Sequence, residues 1–294
     1  MTSEPGKDDI SPVDDAQARL NQVMRARRSK LAKIRELGVN PYPYRFPRTH
    51  PVGELLKRFD ELSGSTERVR IAGRLMSIRV MGKAAFAHLQ DEADRVQVYF
   101  KRDIVGADDW ECFKLLDIGD IIGAEGELFL TRTGERTLKV RSFVLLSKNL
   151  RPFPAVKEKE DEVWFRWTDK EERYRNRPID LVLNRDSRRV FEQRSRIITE
   201  MRRFFDEQGF LEVETPVLQP LYGGAAAKPF VTRYNALDQR FYLRIADELY
   251  LKRLITGGFN RVYEISKDFR NEGIDRLHSP EFTMLECYVA FEDY

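Results

Sequence analysis

The spacing of hydrophobic residues changes along the chain, from a helical period to the alternation that is typical of strands. Between residues 18 and 37 apolar side chains recur every three or four positions, and Gly38 and Pro41 follow, which predicts a helix that ends near residue 37. Residues 1–17 contain Pro, Ser and acidic residues without a period, so we expect a disordered tail. We interpret residues 18–65 together as a basic, helical N-terminal segment.

Short alternating runs then occupy the chain as far as residue 146, with a partly helical stretch after the third run. This order fits a small Greek-key barrel of the OB type over residues 66–148. Such barrels bind oligonucleotides on the face of their second and third strands, where Phe86, His88 and Gln97 fall. Each of these three could instead be a core residue or a satisfied polar residue. The predicted strands are 69–75, 85–90, 96–100, 120–128, 138–141 and 143–146.

A linker or hinge is expected over residues 149–186, because prolines at 152 and 154 precede a charged run at 157–162. A long amphipathic helix follows from Ser187 to Gln208, and Gly209 ends it. The apolar face of this helix consists of Val190, Phe191, Ile197, Ile198, Met201, Phe204 and Phe205.

The last third alternates strands with one short helix, and its final strand begins at Glu281. The earlier predicted elements are a strand at 210–216 that a proline breaks, a strand at 242–246, a helix at 248–256 and a strand at 261–265. Alternation places Phe282, Met284, Glu286 and Tyr288 on one face of the final strand, and Thr283, Leu285, Cys287 and Val289 on the other, which we expect to be core. A buried carboxylate at Glu286 indicates either a functional group or a salt bridge to a core arginine.

Composition excludes several classes of protein. The 294 residues include 51 Lys and Arg against 48 Asp and Glu, a net charge of +3, and 41% are hydrophobic, so neither a histone-like nor a wholly disordered chain is expected. The two cysteines are far apart, which argues against a disulfide framework and a zinc site. The polar N-terminus and the absence of a long apolar run predict a cytoplasmic protein without a membrane partner.

Two features of the charge bear on an RNA partner. Arginine supplies 36 of the 51 basic residues, which suits phosphate binding but also follows from a GC-rich coding bias. Residues 18–40 carry seven basic side chains and one acidic side chain. Such a helix could lie on a nucleic-acid backbone, or could simply present an ordinary solvated face.

The C-terminal third carries a specific resemblance. Phe269-Arg270-Asn271-Glu272-Gly273, with His278, Pro280 to Met284 and Glu286-Cys287-Tyr288, is similar to motif 2 of class II lysyl-tRNA synthetases. Residues 210–216 resemble motif 1, whose helix and strand form the dimer interface in that family, and residues 223–230 and 243–253 also match. Residues 72–84 resemble the anticodon-binding OB domain. Aspartyl- and asparaginyl-type enzymes would share the arginine hairpin, but not Asn271-Glu272-Gly273 together with Glu286-x-Tyr288.

The resemblance covers about residues 20–294 and implies an α+β protein: an OB-fold barrel followed by a truncated class II antiparallel sheet with flanking helices over 187–294. It implies a lysine--tRNA ligase that activates lysine with ATP to lysyl-adenylate and then charges tRNA(Lys), as a homodimer. Positioning and charge stabilisation would supply most of the acceleration, since a carboxylate is already a nucleophile. The implied catalytic residue is Arg270; the implied ATP contacts are Arg270, Glu272, His278 and Phe282; the implied lysine contacts are Gly224, Glu248, Arg270, Glu286 and Tyr288. The candidate anticodon contacts are Phe86 and Gln97.

Some features depart from the family pattern. Ser279 stands where the family usually has Asn, and residues 176–180 are an unusual version of the segment before the catalytic helix. The chain stops at Tyr294, before motif 3 and the acidic residues that hold Mg²⁺ in that family, so we expect a fragment of a longer protein that does not activate lysine by itself. The alternative is a non-catalytic, tRNA- or RNA-binding, synthetase-like protein. Lysyl-synthetase-like enzymes that modify a protein lysine fit less well, because they resemble the catalytic domain without an OB barrel.

Overall fold

The computed structural model describes residues 12–65, 67–92, 94–154, 158–159, 162–163 and 167–293. The chain divides into two compact units, of which the first ends at Asn184 and the second begins at Arg185. Of the predicted disordered tail at residues 1–17, residues 1–11 lie outside the described residues, and the prediction is wrong for residues 12–17, which begin the first helix.

The first unit begins with three helices, α1 (Pro12–Glu36), α2 (Val52–Lys57) and α3 (Phe59–Ser63). Helix α1 therefore begins six residues before the expected start at residue 18. Its buried side includes Leu31 and Ile34, and Gly38 follows with a φ of 76°, a left-handed conformation that suits glycine at a helix end. The Arg27 guanidinium donates a hydrogen bond to the Asn149 carbonyl over 3.0 Å, which ties the helix to the segment after the barrel.

Five strands form a closed barrel in the order β1-β2-β3-β5-β4, which confirms the predicted OB-type fold. The elements are β1 (Val69–Met81), β2 (Ala84–Gln90), β3 (Arg95–Lys101), α4 (Arg102–Val105), α5 (Ala107–Lys114), β4 (Ile121–Leu130) and β5 (Arg136–Ser147). All neighbours are antiparallel except β3 and β5, which pair in parallel through residues 97–99 and 137–139. Strand β2 buries Ala85, Ala87 and Leu89, so its alternate residues face outward.

The segment between barrel and second unit contains the short paired strands β6 (Glu158–Lys159) and β7 (Glu162–Val163), then α6 (Lys170–Arg175) and α7 (Arg177–Leu183). The fully buried carboxylate of Asp180 holds the two helices together, because it accepts hydrogen bonds from Arg173 Nε over 2.7 Å and from Arg177 over 2.6 Å. The expected linker is thus partly helical.

As far as residue 293, the second unit contains one long helix, one short helix and two three-stranded sheets. Its elements are α8 (Arg185–Glu207), β8 (Leu211–Glu212), β9 (Leu218–Gln219), β10 (Val231–Tyr234), β11 (Gln239–Leu243), α9 (Glu248–Thr256), β12 (Arg261–Phe269) and β13 (Glu281–Val289). One sheet has the order β10-β11-β9 and the other β13-β12-β8. The mixed α+β architecture is the one predicted from the sequence.

Two apolar faces of this unit are less buried than their sequence pattern suggests. The prediction that one face of β13 belongs to the core is wrong. Cys287 on that face is exposed, and Thr283, Leu285 and Val289 are only half-buried. On α8 the apolar stripe is largely exposed, with Ile197 at 60% and Phe204 at 58% of full accessibility. A periodic pattern shows which side chains share a face, but it does not show whether another element of the same chain covers that face. In the described part of the chain, no helix combines the length and hydrophobicity that a membrane span needs.

Candidate functional site

The hairpin of β12 and β13 sets the register of the candidate site. Glu264 lies opposite Glu286, and Val262 lies opposite Tyr288. Since Glu286 and Tyr288 are two positions apart on one strand, they share a face, and the Tyr288 hydroxyl donates a long hydrogen bond of 3.4 Å to Glu286 Oε2. Both side chains are half-buried. The strand thus presents a carboxylate and a phenol side by side.

Helix α9 brings a second carboxylate to this face. Glu248 is its first residue, and one turn later Lys252 donates a hydrogen bond of 2.7 Å to Glu248 Oε1. The Lys252 ammonium is also 5.8 Å from the centre of the Tyr288 ring. Glu248 is therefore close to the Glu286–Tyr288 pair.

The loop that contains Gly224 packs directly against the start of α9. Gly224 has a φ of 89°, and a Cβ built there would lie 2.9 Å from Glu248 Cβ and 3.1 Å from Ala246 Cβ. Neither the backbone angle nor the space accommodates a larger residue. A glycine at this position lets the backbone lie against Glu248.

Arg270 follows β12 directly and faces the same region. Its guanidinium lies 5.0 Å from the Phe282 ring centre, and one terminal nitrogen is 3.5 Å from the Ile245 carbonyl. Arg270 Nε is buried and has no hydrogen-bond partner among the described residues. A buried donor without a partner is costly, so this guanidinium is suited to bind a carboxylate or a phosphate.

Two predicted ATP contacts lie in the exposed loop between β12 and β13. Glu272 Oε1 accepts a hydrogen bond of 3.2 Å from the backbone nitrogen of Lys228, and Asn271 N donates to the Lys228 carbonyl over 2.7 Å. His278 is exposed and contacts Asp275 Oδ2 through Nδ1 at 2.7 Å. The Asp275 pKa is lowered by hydrogen bonds, first from the backbone of Leu277 and then from the His278 side chain.

Sequence reasoning missed a buried charge cluster beneath Glu286. Arg244 contacts Glu264 at 2.6 Å, Asp247 at 3.1 Å and Asp268 at 3.4 Å, and all four side chains are at most 5% exposed. The core arginine thus pairs with these three carboxylates, and no ion pair of Glu286 is found among the described residues. The sequence does contain a signal for this cluster, because Glu264, Ser266 and Asp268 alternate on one face of β12. The predicted strand at 261–265 was too short to include the last two of them.

Burial shifts several of these groups toward their neutral forms. The Glu286 pKa is raised, first by burial and then by the charge of Asp247. Burial, and then Glu286, raises the pKa of Tyr288. Burial, and then Asp247, raises the pKa of Asp268 to about 7. The site is therefore short of positive charge.

The class of site raises the question of a divalent metal. Asp247, Asp268 and Glu286 have carboxylate oxygens within 4.8 Å of one another, the one such set of three found among the described residues. The Arg244 guanidinium already lies against two of them. A Mg²⁺ ion that coordinates substrate phosphates keeps several water ligands and needs a site that is open to solvent. This buried cluster, already paired with an arginine, is not such a site. We assign no metal to it.

On the barrel, Phe86 and Gln97 lie on neighbouring strands of one face. The Phe86 ring centre is 4.9 Å from that of Tyr99, and Gln97 Nε2 donates a hydrogen bond of 2.6 Å to Glu135 Oε2. Glu135 also contacts His88 Nε2 at 3.1 Å. Sequence reasoning missed Tyr99 and Glu135. Tyr99 shares the face of Gln97 by simple alternation on β3, whereas Glu135 comes from a distant turn and gives no local signal.

Comparison with known proteins assigns both units. A family model described as tRNA synthetases class II (D, K and N) matches residues 169–294, and one described as an OB-fold nucleic acid binding domain matches residues 69–146. The chain therefore contains a class II tRNA synthetase domain and an OB-fold nucleic acid binding domain.

Curated relatives are named lysine--tRNA ligase. The protein of Pelotomaculum thermopropionicum is 52% identical over 291 residues, which cover 98% of this chain and 56% of the relative. The proteins of Carboxydothermus hydrogenoformans and Chloroflexus aurantiacus are 50% and 52% identical over 94% of this chain, and over 54% and 55% of their own lengths. The chain thus spans about 55% of the length of these relatives.

Proposed function

We propose that this chain carries the amino-acid and ATP site of a lysine--tRNA ligase, which forms lysyl-adenylate and transfers lysine to tRNA(Lys). The observation that carries the proposal is the meeting of Glu248, Arg270, Glu286 and Tyr288 around the start of α9, on one face of β13. The names of the relatives support the choice of amino acid.

Lysine selection follows from the half-buried acceptors. An ammonium group that leaves water must find carboxylate or hydroxyl partners, and Glu286 and Tyr288 offer both. Glu286 has no ion-pair partner in the described part of the chain, so a substrate ammonium would supply the missing positive charge. A methionine or leucine side chain would leave these polar groups unpaired and should be rejected. Glu248 and the backbone at Gly224 would hold the α-amino group.

Adenylate formation needs orientation and charge stabilisation rather than a general base. The carboxylate oxygen of lysine attacks the α-phosphorus of ATP, and the bond from that phosphorus to the pyrophosphate oxygen breaks. The guanidinium of Arg270 would bridge the carboxylate and the α-phosphate, where its planar fork offsets the charge that develops. Phe282, beside Arg270, would stack on adenine, Glu272 would bind its amino group, and His278 would contact the distal phosphates.

The barrel would bind the tRNA anticodon, and α8 would bind a second copy of this chain. Phe86 and Gln97 would contact anticodon bases by stacking and hydrogen bonding. The exposed apolar stripe of α8 would be covered by the same stripe of a second copy, which gives a homodimer. We place this activity in the cytoplasm.

ATP–pyrophosphate exchange tests the proposal. The rate should depend on lysine, and it should be measured on this chain and on a protein extended to the full length of the relatives. Lysine-dependent exchange by the extended protein supports the ligase, and replacement of lysine by methionine should abolish it. Exchange by neither protein, together with binding of a tRNA anticodon stem, would favour a non-catalytic RNA-binding protein, which the closed and separately packed barrel could support.

A further inference from the structure

The buried cluster beneath Glu286 has more negative charge than its surroundings can neutralise. Asp247, Asp268 and Glu264 share a single cation, Arg244, and Glu286 lies next to Asp247 and Asp268. If every carboxyl were ionised, these five groups would carry a charge of about −3, and all of them except the half-buried Glu286 are almost closed to water. Carboxylates this close in a dry site cannot all ionise, so they retain a proton.

One hydroxyl group, that of Ser266, lies between two of these carboxyls. Ser266 Oγ lies 2.6 Å from Asp247 Oδ2 and 3.3 Å from Asp268 Oδ1. The remaining oxygens, Asp247 Oδ1 and Asp268 Oδ2, are buried and accept no hydrogen bond from the described residues, although Arg244 lies 3.1 Å from Asp247 Oδ1. Ser266 has one hydroxyl proton for two carboxylates, and a proton held by Asp247 or Asp268 would supply the second donor, because ionised carboxylates only accept.

We propose that Asp247 and Asp268 share one proton while the site is empty, and release it to solvent when the side-chain ammonium of lysine binds at Glu286. This rests on the proposed function. One positive charge enters the site as ammonium and one leaves as a proton, so the net charge of the buried cluster is unchanged. Asp247 and Asp268 act as positioning residues, since the ammonium contacts Glu286 and not the pair.

Other charged groups surround the pair but do not replace it as the source of the proton. They come from the segment before α9, from β12, from β13 and from α9, and they are Arg244, Glu264, Glu286, Tyr288, Glu248 and Lys252. Arg244 and Lys252 are cations with carboxylate partners, and Glu264 contacts Arg244 and Thr215. Burial, and then Asp247, raises the pKa of Asp268 itself to about 7. A change of pH around neutrality should therefore change the protonation of the pair.

Calorimetric titration with L-lysine at pH 6 and pH 8 tests the coupling. Release of one proton by a group with a pKa of about 7 predicts that affinity rises about tenfold between these pH values. Titrations at pH 6 in phosphate and in Bis-Tris, which both buffer at this pH and differ in ionisation enthalpy, should differ in binding enthalpy by the amount that about one released proton gives. Asp268→Asn and Asp247→Asn should each reduce the pH effect to less than twofold. Asp238→Asn, an exposed carboxyl paired with Arg233 in the same unit, should behave as the wild type.

A measurement without lysine checks the proton itself. At pH 6 the infrared spectrum of the free chain should contain a protonated-carboxyl band that Asp268→Asn removes and Asp238→Asn keeps. An unchanged band in Asp268→Asn overturns the shared proton. Lysine binding with the same pH dependence in wild type and Asp268→Asn overturns the coupling and leaves the proposed function standing. A wild-type chain that binds no lysine at either pH overturns the proposed function as well.

Discussion

Tyr288 donates a hydrogen bond of 3.4 Å to Glu286, from two positions along the same strand. The contact fixes the phenol beside a carboxylate that has no ion pair within the described structure. The oxygens of the two groups can therefore accept hydrogen bonds from an ammonium group. Glu286→Gln keeps the shape and removes the charge. We expect the KM for lysine in pyrophosphate exchange to rise at least tenfold, because a buried ammonium loses its counter-charge, while the KM for ATP changes less than threefold.

Glu281→Gln is the matched control for that prediction. Glu281 is the exposed first residue of the same strand and pairs with Lys267, so its loss should leave both KM values unchanged. Equal losses for lysine and ATP in Glu286→Gln would contradict the assignment.

Gly224 and Gly258 both have left-handed backbone angles, with φ values of 89° and 101°, but only Gly224 has close neighbours. Gly258→Ala should cost roughly 1–2 kcal/mol of folding stability from backbone strain alone. Gly224→Ala adds a Cβ at 2.9 Å from Glu248 Cβ, so it should also displace Glu248 and weaken lysine binding by tenfold or more. Urea unfolding and lysine titration of both variants measure the two effects. Similar lysine affinity in the two variants would show that the Gly224 backbone does not shape the site.

Phe86 is the stacking candidate on the barrel, and its ring lies 4.9 Å from Tyr99. Loss of one stacked base costs roughly 1–3 kcal/mol, so Phe86→Ala should weaken binding of the tRNA(Lys) anticodon stem-loop by about fivefold to 150-fold. Fluorescence anisotropy with a labelled stem-loop measures the change, and Tyr234→Ala in the second unit is the control. Unchanged affinity in Phe86→Ala would remove its stacking role.

Lys148 is a fully buried cation whose ammonium lies 2.5 Å from Asp117 and 2.7 Å from Asp120. Lys148→Met leaves both carboxylates without that partner, and should cost about 3–5 kcal/mol of barrel stability. Lys114→Met removes an exposed pair with Glu111 and should cost less than about 1 kcal/mol. Urea unfolding followed by tryptophan fluorescence compares the two. A small cost at Lys148 would show that other donors replace the ammonium.

The parts of the fold that sequence predicted well are those with a clear local period. Alternation at 85–90 and 96–100 gave two strands of the barrel, and the segment 248–256, closed by Gly257 and Gly258, gave α9 with its observed bounds. The segment that forms α6 and α7 was predicted to be a linker. The two helices are joined by hydrogen bonds to one buried residue, Asp180, and not by an apolar stripe that the sequence would reveal. No local pattern marks such a residue.

The candidate site divides in a similar way. Alternation placed Glu286 and Tyr288 on one face, and resemblance supplied roles for them. The contact of Arg244 with Asp247 and Asp268 was not predicted, because Arg244 and Asp247 lie in the loop after β11 and Asp268 lies on β12, and only the folded unit brings the loop against that strand. Glu135 on the barrel was missed for the same reason.

The parallel seam of the barrel is short, since only residues 97–99 of β3 pair with 137–139 of β5. Gln97 and Thr137 also join their side chains there, through a hydrogen bond of 2.8 Å from Thr137 Oγ1 to Gln97 Oε1. A brief ladder separates more readily than the long antiparallel ones around it, so the amide hydrogens that donate across this seam should exchange with deuterium before those of β1 and β2. A nucleotide bound at Gln97 would hold the seam closed, and occupancy of the barrel face would slow deuterium uptake at the same amides.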